Sequence, residues 1–239
     1  MRVAISQPMF FPWSGFLAML DSVDIFIHLN DVQFAKGSFT NRVQVKRASG
    51  LTWVTVPLKN HHLGQTINDV RVASDSSWKQ RHLNLFQEVF QLAPYRADAL
   101  SLVSEVYGHS YTKLVEISEK SVSVLSNYFG TATTLRHLNS DEFDVKSQGS
   151  QRVLDLVLEV GGTTYVSGLG GLHYLDHEKF EACGVSVEYM KYNLNPYCQP
   201  FGEFTPYVTA LVLIAHSGPS GSTHITSETK SWREINGQK

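Results

Sequence analysis

The chain has 239 residues, of which 42% are hydrophobic and 18% charged, with a formal net charge of −2. That length and balance suit one large globular domain, or a domain with a small annex, with enough apolar side chains for a real core. They give no field that would recruit nucleic acid or an anionic membrane, and the longest late apolar run, Ala210 to Ala215, is far too short to span a bilayer.

In chain order, residues 2–6 read as a strand buried on both faces, residues 16–22 as a helix and residues 24–29 as a second strand. This β-loop-α-β start predicts an α/β fold with a mainly parallel, doubly wound sheet. Residues 42–46 and 51–56 read as a β-hairpin turning at Ala48-Ser49-Gly50 and ended by Pro57, and residues 69–72 as an edge strand. Ser76 or Ser77 is placed to cap a helix from Trp78 to about Leu92, with Trp78, His82, Leu85, Phe86 and Val89 on one face. Further helices are expected near 97–107 and 112–128, so residues 76–130 read as a helical cap over the sheet. Residues 135–137 read as a strand, and Ser150 begins a helix with the stripe Val153, Leu154, Val157 and Leu158, ended by Gly161-Gly162. A short strand at 164–166 leads into a glycine cluster. Asp176 is placed to cap a short helix at 177–182, residues 185–192 alternate as a strand, and residues 208–215 fit a last helix. The expected organisation is one α/β domain over 1–218, with the hairpin insertion and the helical cap, and a mobile Ser/Thr/Gly-rich tail over 219–239.

The polar residues that follow the predicted strands are the candidates for chemistry, because open α/β sheets bind ligands at strand carboxyl ends. Gln7 follows the first strand, and its amide both donates and accepts. Asp31, Gln33, Lys36, Asn41 and Arg42 follow the second, a polar density suited to a charged small molecule. Arg42 offers a planar fork for phosphate or carboxylate, and Asp31 is a candidate base. The blander alternative pairs Asp31 with Arg42 or Lys36 to pin the loop. Lys46 reads as a solvated lysine of a hairpin strand. Ser167-Gly168-Leu169-Gly170-Gly171 offers backbone amides to phosphate or an oxyanion, or else is a tight turn. It is not a dinucleotide fingerprint, since His173 stands where the third glycine is needed. His173 is a candidate for proton transfer, and Tyr174 and Tyr197 for substrate contact. Of the two cysteines, Cys183 reads as a small buried hydrophobe and Cys198 lacks an activator. Neither Cys nor His shows metal-ligand spacing, so no metal and no cofactor are expected. The cysteine usage points to a reducing cytoplasm, and the first residues do not form a signal peptide.

The runs QPMFFPWSGF, DIFIHLNDVQFAKGSFTNRVQVK, WVTVPLK and TYVSGLGGLHYLD resemble the WbqC-like family from about residue 3 to about residue 218. The resemblance implies a place in bacterial surface-polysaccharide (O-antigen) synthesis and a transferase that acylates an amino sugar with glycine. The implied partner is a nucleotide-linked amino sugar, with no membrane. Nucleic acid is not expected, except as an aminoacyl-tRNA acyl donor. In that reading Asp31 or His173 is the base. Arg42, Lys36 and the amides of Gly168, Gly170 and Gly171 hold phosphate or oxyanion, and Gln7 and Asn41 orient hydroxyls. The alternative is a non-catalytic nucleotide-sugar-binding or pathway-interaction protein. The first loop also has the placing of a nucleotidylyltransferase His-x-Gly-His turn. Here that turn reads Trp13-Ser14-Gly15-Phe16, without the imidazoles that such transfer requires. In the last helix the resemblance implies a Ser and an Asp where this chain has Thr209 and Val212.

Overall fold

The computed structural model describes residues 1–131 and 135–236. Its centre is a six-stranded sheet. Chain order runs β1 (Arg2–Ser6), β2 (Ile25–His28), β7 (Arg136–Asn139), β8 (Thr164–Ser167), β9 (Ser186–Lys191) and β10 (Glu228–Ser231). Spatial order is β10-β9-β8-β1-β2-β7, and every pairing is parallel except that of β10 with β9. Strands β1 and β2 are short unbroken apolar runs, the pattern of a sheet covered on both faces. Alternate residues divide accordingly. Ala4, Phe26, Val166 and Met190 join one core with α1 (Ser14–Asp21), while Val3, Ile5, Ile25, Ile27, Tyr165 and Val187 join another with α5 (Gly149–Glu159) and α6 (His177–Ala182).

The hairpin is β3 (Arg42–Arg47) with β4 (Gly50–Thr55), and a two-residue ribbon pairs β5 (Leu58–Lys59) with β6 (Arg71–Val72). The helical block comprises α2 (Ser77–Val89), α3 (Arg96–Tyr107) and α4 (Leu114–Phe129). Within it α3 packs against α7 (Ala210–Ser217), α4 against α1, and α2 against β3 of the hairpin. Trp78, His82, Phe86 and Val89 are buried, and His82 Nδ1 meets the Tyr107 hydroxyl at 2.8 Å. The helix begins at Ser77, and the cap is the Asp75 carboxylate, which accepts from the Ser77 amide at 2.9 Å; no serine hydroxyl caps it.

Three expectations are corrected. The segment after Gly218 is not a structureless tail: it contains β10 and the short helix α8 (Trp232–Asn236), while 237–239 lie outside the described residues. Polar β10 forms because its main chain completes the edge of β9, and Thr229 Oγ1 donates to Glu188, which also holds Arg2. Lys46 is buried, at 6% exposure. Its ammonium donates to the carbonyls of Gly202, at 3.1 Å, and of Glu203, tying the hairpin to a distant loop. Cys183 is exposed, because it ends α6 on that helix's outer side.

Candidate functional site

The sheet has a topological switch point between β1 and β8. From β1 the chain crosses to α1 on one face and on to β2 and β7; from β8 it crosses to α6 on the other face and on to β9. The loops leaving the carboxyl ends of β1 and β8 therefore diverge, and a crevice opens where open α/β sheets bind ligands. Gln7 and Gly168 lie directly after these two adjacent strands, and Asp31 lies three residues past the next one, β2.

Trp13 turns back over Gly15, where a Cβ would lie 2.1 Å from the indole, so only glycine leaves room for the ring. The ring stands 4.9 Å from Tyr192 and 5.5 Å from Tyr207. With Leu169 and Leu194 these aromatics line a cavity of about 540 Å³, with Lys191 and Lys230 at its wall. A polar hollow of about 500 Å³ shares Lys191, Tyr192 and Leu194 with it. Within the glycine turn, the Gly171 amide donates to the Gly168 carbonyl at 3.0 Å, so that amide is spent and does not reach an anion. Gly171 is a packing glycine: a Cβ there would fall 2.4 Å from Ser167 Oγ. Gly170 faces open space, and His173 and Tyr174 are exposed at the end of the turn. Tyr197 packs against the first core, edge-on to Phe204 at 5.2 Å, and burial pushes its hydroxyl up to about 12.

Asp31 belongs to a polar network between the β2 and β7 ends. It forms an ion pair with Arg152 of α5 and accepts from Ser140 Oγ at 2.6 Å. Arg152, not Arg42 or Lys36, is thus the residue that pins this carboxylate. Asn30 and Asn68 both hold Asp141.

Lys36, Asn41 and Arg42 line a third place, a cavity of about 300 Å³ with Phe34 and His61. Arg42 stacks on Trp53 at 4.0 Å, and Gly37, at φ +81°, lies under the guanidinium, where a Cβ would be 3.0 Å away. Asn41 is 7% exposed; its amide donates to the Val56 carbonyl while Oδ1 has no partner among the described residues. Gln33 is exposed and bridges Thr66 through the backbone. The sequence-selected residues are therefore distributed over several surfaces and do not form one constellation.

Two groups escaped the sequence reading. His28 and His137 face each other across β2 and β7, Nε2 to Nδ1 at 3.0 Å, and burial, then the neighbouring imidazole, pushes His28 down to about 3. Glu119 of α4 has a buried Oε1 without a partner among the described residues. Burial, followed by Asp141, Glu142 and Glu116, pushes its carboxyl up to about 7. Among the described residues, no group of three or more His, Cys, Asp or Glu is arranged to hold a metal ion, and no helix is long and apolar enough to cross a membrane.

The model of the WbqC-like protein family matches residues 7–224. The chain belongs to this family. It is also similar to the uncharacterized protein Rv1507c of Mycobacterium tuberculosis, with 26% identity over 227 residues, covering 94% of this chain and 97% of the relative. No solved structure matches it. Where the resemblance implies an acid in the last helix, Val212 is 0% exposed within α7, and Thr209 Oγ1 caps that helix by accepting from the Leu211 amide at 3.2 Å. In this chain the hydroxyl of Thr209 caps the helix and Val212 is packed in the core.

Proposed function

We propose that this WbqC-like protein is a cytoplasmic transferase of bacterial surface-polysaccharide synthesis that acylates a nucleotide-linked amino sugar, with glycine as the acyl group. The observation that carries this reading is the pair of adjoining cavities beside the carboxyl end of β9, one reached by Trp13 and Leu169 from the loops after β1 and β8, the other lying between the end of β9 and the start of β10. The aromatic one, with Trp13, Tyr192 and Tyr207, suits the flat face of a base or sugar, and Lys191 and Lys230 suit its phosphates. The polar one, sharing a wall with it, gives room for the second substrate. In the reaction the acceptor nitrogen attacks the acyl carbonyl, a C–N bond forms, and the donor's leaving group departs with the bonding pair. The proton lost by nitrogen passes to a base. His173, exposed at the end of the turn that begins with Leu169, is freer for that role than Asp31, which Arg152 and Ser140 hold in place as an orienting group.

The same engagement of Asp31 favours a second reading, a nucleotide-sugar-binding protein without catalysis. One experiment separates the two. The protein is incubated with a nucleotide-linked amino sugar and a set of activated glycine donors, binding is followed by calorimetry, and products are followed by mass spectrometry. Mass gain by one glycyl group, abolished by Trp13→Ala, supports the transferase. Binding without product under every donor supports the second reading, and absence of binding refutes both.

A further inference from the structure

A cationic cleft lies apart from the two cavities beside β9. The β5–β6 ribbon pairs Lys59 directly with Arg71, and Arg71 in turn bridges Lys113, so three cationic residues stand in one cross-strand row. Like charges directly opposite one another destabilise a pairing, and a fold keeps such a row at a cost unless something negative answers it. None of the three, nor Lys79, has a carboxylate within ion-pair distance among the described residues. The nearby acids are committed elsewhere: Asp75 accepts from the Ser77 amide and hydroxyl, and Glu116 from the amides of Thr112 and Lys113. Lys113 is held by Asn68 Oδ1 at 3.2 Å.

Lys59, Arg71 and Lys79 border a cavity of about 260 Å³ that also presents the hydroxyl residues Ser74, Ser76, Ser110 and Thr112, and no Asp or Glu lines it. Lys79 is fixed in position, its ammonium donating to the carbonyls of Tyr107 at 2.8 Å and His109 at 2.6 Å. Carbonyls orient this charge without neutralising it. An arginine fork, two lysine point charges and short hydroxyls together match the oxygens of a phosphate or diphosphate, and the volume suits that group rather than a whole nucleotide sugar.

We propose that the cleft between the β5–β6 ribbon and the start of α2 binds the phosphate or diphosphate group of a small phosphorylated metabolite through Lys59, Arg71 and Lys79. The inference does not rest on the transferase reading, because the cleft shares no residue with either cavity beside β9.

The test is calorimetry of the full chain with inorganic pyrophosphate at low ionic strength. Four proteins are compared: the natural chain, Lys59→Gln/Arg71→Gln, Lys191→Gln/Lys230→Gln, and a surface control, Lys146→Gln. The proposal expects a saturable site whose affinity falls by about tenfold or more in the first variant and is unchanged in Lys146→Gln; any pyrophosphate taken up by Lys191 and Lys230 is a separate step, lost in their variant alone. Because the cationic row is strained without its anion, the first variant should also melt no lower than the natural protein in the absence of pyrophosphate. No binding to the natural chain at millimolar pyrophosphate overturns the proposal. So does loss of affinity in Lys191→Gln/Lys230→Gln but not in Lys59→Gln/Arg71→Gln.

Discussion

Glu119 makes a measurable prediction about stability and pH. Its carboxyl sits at about 7 in the folded protein against an ordinary value of 4.5, because burial penalises the charged form and Asp141, Glu142 and Glu116 add their repulsion. The folded chain then holds this proton more tightly than the unfolded chain. The associated stability is fully present below about 4.5 and is lost as pH rises through about 7. Each pH unit of displacement is about 1.4 kcal/mol, so the loss amounts to about 3 kcal/mol. Glu119→Gln keeps the shape and removes the ionisation. Urea unfolding of both proteins across this range, at constant ionic strength, should show the variant gaining on the natural protein by about 3 kcal/mol from the acid to the alkaline end. Any constant offset at the acid end reports the amide's own fit and does not enter. His28 and His82, held at about 3 and about 4 chiefly by burial, contribute in the opposite sense, with stability present above 6.5 and lost toward acid. Both proteins share that contribution, so it cancels in the difference. A stability difference that stays flat with pH would refute the reasoning.

Two further substitutions probe the packing. Lys46→Ala should cost about 2–3 kcal/mol in urea unfolding, since it strips a charged donor from two loop carbonyls and empties the space of a buried stem; an effect near zero would mean that the tie to residues 202 and 203 is not formed in solution. Val212→Asp, which restores the acid implied by the family resemblance, should destabilise by more than about 3 kcal/mol, because a fully buried position receives an unpaired carboxylate. A soluble variant with unchanged melting temperature would reveal a partner for that carboxylate.

The central strands were legible because Val3-Ala4-Ile5 and Ile25-Phe26-Ile27 are apolar without interruption, and helices α2 to α7 because their stripes or caps are local. β10 was not legible: Glu228-Thr229-Lys230-Ser231 has no apolar residue, and it is a strand only because the edge of β9 is open to it. The same limit applied to the site. The loop residues at the carboxyl edge could be read from their place after each strand, but the partner of Asp31 lies 121 residues away in α5. Lys46 looked solvated in an alternating hairpin strand, and only a loop 156 residues further on buries it. Glu119 sits on the polar side of a well-formed amphipathic helix, and its neighbours come from the turn after β7. Local pattern identifies elements and loop ends; long-range pairing decides which charges are answered.

The position of β1 has a consequence for synthesis. It lies in the middle of the sheet, with β2 on one side and β8 on the other, and its register partners are Ile25 for Val3 on one flank and Tyr165 on the other. A ribosome adding 5–20 residues per second takes roughly seven to thirty seconds to go from β2 to β8. Throughout that interval the main chain of β1 presents an open row of donors and acceptors beside an apolar surface, which other chains can pair with. The nascent protein is therefore most exposed to aggregation midway through translation, and slowing elongation between β2 and β8 should lower its soluble yield more than slowing it after β9.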